Sequence, residues 1–275
     1  MIFLTGDTHG HYDIHKLNSG NFSVDGMTKD DYVIILGDFG LLWYPYGSIG
    51  DKRQQYWLDW LENKPFTTLF VDGNHENHKM LYELPIVEKF GGKVGKVRDS
   101  IFHLKRGEIY VIDSQKFFVM GGAQSIDKAS RTVDISWWEA ELPTTMEFEY
   151  GFQNLEKHKW CVDYILGHNC PIDIGKVYFR EMNDRGDDIL KQRDVDVNLD
   201  LTGQQLAYLS FDDKYYADKL DTVGKYFTEV VKKTKFNKFY FGHYHSNWCT
   251  DDDNYIMLFD DVVLLDEIKK EWKSG

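Results

Sequence analysis

Residues 32–43 read Tyr32-Val33-Ile34-Ile35-Leu36-Gly37-Asp38-Phe39-Gly40-Leu41-Leu42-Trp43. The first five are apolar or aromatic without polar alternation, the pattern of a buried strand. The run stops at Gly37-Asp38, so a carboxylate stands at the strand's carboxyl end. In open α/β sheets that edge is where ligands gather. Leu41, Leu42 and Trp43 follow, where chemistry on phosphates would want polar groups. A lone Gly-Asp is more often a turn than a ligand, so this stretch alone leaves Asp38 undecided.

Outward from it, the same plan recurs four times. Residues 1–5 end at Gly6-Asp7-Thr8-His9, and residues 67–71 end at Asp72-Gly73-Asn74-His75. Residues 161–166 end at Gly167-His168-Asn169, and residues 239–241 end at Gly242-His243-Tyr244-His245. Between these runs the apolar residues fall at helical spacing, over 51–63, 76–84 and 215–234. Strands alternating with helices predict an α/β fold whose five loops meet on one edge.

The groups gathered there are Asp7, His9, Asp38, Asn74, His168, His243 and His245. Mixed oxygen and nitrogen donors suit Mn²⁺, Fe or Zn²⁺ better than the oxygen cage that Ca²⁺ prefers. Seven donors exceed one ion's need and suffice for two if one carboxylate bridges. Singly, each has a plainer reading: Asn74 as a helix cap, His168 as a satisfied core histidine. His11, His15, His78, His103 and His158 read as structural or surface groups, and Trp137-Trp138 as core or cleft wall.

The rest of the chain adds expectations of its own. Residues 102–104, 110–112 and 117–120 predict a meander with Lys105-Arg106-Gly107-Glu108 as a hairpin turn. Residues 256–259 and 262–265, joined by Asp260-Asp261, predict a closing hairpin. Residues 175–215 are the least patterned and most charged, and read as an insertion or lid on a single domain spanning 1–275.

The chain has 275 residues and a net charge of −13. That length buries about three quarters of the unfolded surface, so no staples are needed. The acidic surface disfavours a nucleic-acid polymer as partner. Cys161, Cys170 and Cys249 form neither a C-x-x-C nor an even set, which argues against a disulfide framework. Cys161 and Cys170 read as small core fillers. No basic leader and no membrane-length apolar run is visible. The expectation is a cytoplasmic protein with no membrane partner.

Asp7-x-His9, Gly37-Asp38, Gly73-Asn74-His75-Glu76, Gly167-His168 and Gly242-His243-x-His245 stand in the order seen in calcineurin-like metallophosphoesterases. The chain resembles that family from residue 7 to residue 245, most closely the branch of Ser/Thr protein phosphatases and diadenosine tetraphosphatases. The resemblance implies a four-layer α/β/β/α sandwich of two mixed β-sheets flanked by helices. It implies a dinuclear centre, with Asp7, His9 and His245 on one ion and Asn74, His168 and His243 on the other. Asp38 would bridge them. Two cations about 3.5–4 Å apart can clamp a phosphate and activate a water, and His75 would assist the leaving group.

One departure stands out. The family's Gly-Asp-x-x-Asp-Arg-Gly has Leu41 and Leu42 here in place of the second Asp and the Arg. The glycine-rich stretch 121–131 offers Asp127 and Arg131 as substitutes. The reading is a metal-dependent hydrolase of phosphate esters, phosphoprotein, nucleotide or small ester. The competing reading is a non-catalytic metal-binding scaffold of the same fold.

Overall fold

The computed structural model describes residues 1–184 and 221–273. Two sheets face each other. The first has the order β13-β1-β2-β3-β6-β5-β4, built from Val263–Leu264 (β13), Ile2–Thr5 (β1), Tyr32–Leu36 (β2), Thr67–Val71 (β3), Ile101–Leu104 (β6), Gly92–Arg98 (β5) and Ile86–Lys89 (β4). The second runs β11-β12-β10-β9-β8-β7, from Trp248–Cys249 (β11), Tyr255–Met257 (β12), Lys238–Phe241 (β10), Tyr164–Gly167 (β9), Gln115–Met120 (β8) and Ile109–Ile112 (β7). Each sheet has a parallel centre and antiparallel edges: β1-β2-β3-β6 in one and β8-β9-β10-β12 in the other run parallel.

The continuous apolar strands follow from burial on both faces. In β2, Ile34 and Leu36 enter the core between the sheets, while Val33 and Ile35 face outward. The outer face of the first sheet is covered by Asp51–Glu62 (α1), whose Leu58 and Leu61 pack on it, and by the short helix His78–Tyr82 (α2). The outer face of the second sheet is covered by Thr145–Lys157 (α3), Ile172–Asp184 (α4) and Thr222–Lys233 (α5). The layers are therefore helix, sheet, sheet, helix, as the resemblance implies. No helix among the described residues is long and apolar enough to cross a membrane.

Four local expectations are corrected. Residues 105–108 are no hairpin turn: β6 belongs to one sheet and β7 to the other. Arg106 turns inward to Asp72, and Tyr110 Oη accepts from the Lys105 amide, so the chain crosses the sandwich there. Likewise β12 and β13 lie in different sheets, and Asp261 between them is held by Lys269 and Trp272. Asn74 caps no helix; α2 begins later, capped by the Asn77 side chain, which accepts from the Met80 amide. Cys170 is buried, whereas Cys161 is exposed. The stretch 175–215 opens inside α4, whose Tyr178 and Met182 enter the outer core. Residues 185–220, which hold the remainder of the expected insertion, lie outside the described residues.

Candidate metal centre

The parallel strands β1, β2, β3, β9 and β10 deliver their carboxyl ends to one edge of the sandwich. Glycines there make room for neighbouring ligands. A Cβ on Gly73 would collide with the Asp38 carboxylate, and one on Gly242 with that of Asp7. Past the strands the chain turns sharply: His9, Asp38, His243 and His245 have φ of +43°, +46°, +73° and +52°. This left-handed backbone points the side chains back over the strand ends.

Asp7 and Asp38 are buried at the centre. His245 Nε2 lies 3.1 Å from Asp7 Oδ2, and His9 Nε2 lies 3.4 Å from Asp38 Oδ2. One donor atom from each of Asp7, His9, Asp38 and His245 falls within 4.8 Å of all the others. On the other side of Asp38, His168 Nε2 is 3.4 Å from Oδ1 and 3.1 Å from Asn74 Oδ1. The His243 ring lies 4.9 Å from that of His168, centroid to centroid, and its amide donates to Asp7 Oδ1. All seven expected donors thus converge, with Asp38 between the two groups.

Partners outside the cluster fix the rings. His9 Nδ1 meets Asp13 Oδ2 at 2.6 Å, and His168 Nδ1 meets the Leu36 carbonyl at 2.8 Å. Each contact leaves Nε2 directed inward, the arrangement that prepares an imidazole for a cation. Lys16 Nζ donates to the carbonyls of Gly6, Asp7 and Phe259, and the Phe259 ring stacks on His245.

The electrostatics suit divalent cations. Burial opposes ionisation of Asp7 and Asp38, yet His168 and the neighbouring rings hold both carboxyls below the usual carboxylate range. Burial also disfavours charge on His9, but Asp13 and Asp38 raise it to about 10; Asp38 and Asp7 similarly raise buried His168 to about 9. Protons on the rings thus balance the carboxylates, a charge that bound cations would supply instead. Asp7 Oδ2 and Asp38 Oδ2 are buried and have no hydrogen-bond partner. Two orphaned carboxylate oxygens beside inward-facing imidazoles fit a mixed-donor metal site.

His75 stands at the rim, its amide donating to Asp38 Oδ1 and its ring 5.7 Å from that of His9. Burial lowers its pKa against the pull of Asp38, and the charges of Arg131 and His9 lower it further. Arg131 forms an ion pair with Asp127 at 2.7 Å and donates to the Ser136 carbonyl. Leu41 and Leu42 lie buried in the outer core with Phe39.

Sequence reasoning missed several contributors. Glu76 is buried and accepts from the amides of Phe39 and Gly40, holding the loop after Asp38. Its place in Gly73-Asn74-His75-Glu76 was a visible signal. Asp13, four residues past His9, was another. Ser125 and Glu141, reached through Asn74, carry no such signal.

A family model described as calcineurin-like phosphoesterase matches residues 1–247. No curated protein matches the chain.

Proposed function

This chain belongs to the calcineurin-like phosphoesterase family, and on that premise we propose that it hydrolyses phosphate esters at a two-cation centre. The observation that carries the reading is the pair of orphaned buried oxygens on Asp7 and Asp38 facing histidine nitrogens. Asp7, His9 and His245 would hold one cation, and Asn74, His168 and His243 the other. Asp38, with one oxygen toward each group, would bridge. The mixed donors favour Mn²⁺, with Fe or Zn²⁺ as alternatives. Bound divalent ions supply Lewis acidity toward phosphoryl oxygens and a water-derived nucleophile at neutral pH.

The chain's own groups do the rest. A neutral His75 keeps one N–H, which can donate to the leaving oxygen. Arg131, its charge felt at His75, is the candidate for holding a phosphoryl oxygen, with Asp127 fixing its fork. The substrate is a phosphomonoester or diester of a protein, nucleotide or small molecule. Three unpaired cysteines support a cytoplasmic setting.

Leu41 and Leu42, sunk in the core, favour a second reading as a metal-binding scaffold without turnover. A panel of aryl phosphate mono- and diesters, assayed with Mn²⁺ and then with chelator, separates the two. Chelator-sensitive turnover supports the enzyme. Two bound ions with no turnover on any ester would leave the scaffold.

A further inference from the structure

We infer that Ser125 and Glu141 are positioning residues that set which atom of the Asn74 amide faces the metal centre. The inference rests on the two-cation reading. An asparagine amide presents oxygen on one side and NH₂ on the other, and only the oxygen binds a cation. Something must fix which way it points.

The structure holds a directed chain of hydrogen bonds at this place. Asn74 Nδ2 donates to Ser125 Oγ at 3.2 Å. Ser125 Oγ–H donates to Glu141 Oε2, and the Ser125 amide donates to Glu141 Oε1 at 3.0 Å. Asn74 Oδ1 is left toward His168 Nε2, on the side of the proposed ion. Asn74, Ser125 and Glu141 are 5%, 2% and 1% exposed, so water cannot easily replace a lost link.

The polarity comes from Glu141. Its two oxygens both accept from Ser125, as an ionised carboxylate does. The serine proton is therefore committed to Glu141, and the serine oxygen is free only to accept. That selects the NH₂ of Asn74. Glu141 itself is fixed from behind, because Arg106 Nη2 donates to its carbonyl at 3.1 Å and to that of Ala140 at 2.9 Å.

Glu141→Gln is nearly isosteric yet should act like a broken link. With its oxygen on the Ser125 amide, its NH₂ would donate to Ser125 Oγ. The serine proton would then point at Asn74 and draw Oδ1 away from the centre. Ser125→Ala removes one buried oxygen and lets the amide turn freely.

The test titrates the metal-free full chain with Mn²⁺, following bound ion by calorimetry and by loss of the free-ion electron paramagnetic resonance signal. Wild type should take up two ions. Ser125→Ala, the milder change, and Glu141→Gln should each weaken one of the two by about 10–100-fold, the usual effect of disturbing a ligand's support. The other ion should bind as before. A purely packing role would instead lower the melting temperature and leave both affinities of the folded protein unchanged. Two wild-type affinities in Ser125→Ala would overturn the inference even if Glu141→Gln fails to fold. A wild type that binds no Mn²⁺ would remove the two-cation reading, and the inference with it.

Discussion

Asp38 occupies a left-handed conformation, φ +46°, that costs a non-glycine residue about 1–3 kcal/mol when the surroundings impose it. Asparagine tolerates that conformation as readily as aspartate. Asp38→Asn should therefore still adopt the turn and fold, while losing bound metal and nearly all turnover. Metal analysis beside a thermal melt checks this, and a fully active variant would sink the bridging role. His75 contributes differently. His75→Ala should retain both ions and lower kcat by about 10²–10⁴, with the smallest loss on esters of good leaving groups. An equal loss on every ester would argue against an action on the leaving oxygen. Arg131→Lys keeps the charge but loses the fork, so kcat/KM should fall markedly at unchanged metal content. Unchanged kinetics with a lower melting temperature would confine Arg131 to its pair with Asp127. The seven donors were legible because each stands within three residues of a glycine that ends an apolar run. Ser125 and Glu141 were not, since a hydroxyl and a carboxylate 16 residues apart share no periodicity and meet only through folding.

At the scale of elements, the strands were legible but their sheet was not. Residues 102–112 offer two apolar runs around a glycine, which is also what a hairpin offers. What separates β6 from β7 is Arg106, drawn into the core by Asp72: Nε donates to Oδ2 at 2.8 Å, and both residues are buried. His103 Nε2 lies 3.0 Å from the other Asp72 oxygen. Such a contact spans 34 residues of sequence and leaves no local mark. Removing one partner of a buried pair leaves an uncompensated charge, at a cost of about 3–5 kcal/mol. Arg106→Ala should lose stability of that order, read as a lower urea midpoint at unchanged slope. A loss below about 1 kcal/mol, the range of exposed ion pairs, would show that the crossing is held by strand packing alone.

At the scale of the whole molecule, the site is closed by both ends of the chain. Lys16, near the beginning, reaches the Phe259 carbonyl beyond the stretch matched by the family model. Burial lowers the Lys16 pKa from 10.5 to about 8 against the pull of Asp7. The unfolded chain then holds this proton more tightly than the folded one. The contribution of Lys16 to stability should rise between pH 8 and pH 10.5 and be lost as pH falls through 8. Urea melts across that window should show the rise in wild type and not in Lys16→Met; parallel curves would refute it. The same joining of ends appears in the first sheet, where β1 lies between β2 and β13 and Leu4 pairs with Val263. The strand β1 thus acquires its second neighbour only once β13 has been made. Until residues 263–264 emerge from the ribosome, Ile2, Phe3 and Leu4 present an open edge to other nascent chains. The first strand of this sheet in sequence order waits for the last, and slow synthesis of the stretch between them prolongs that exposure.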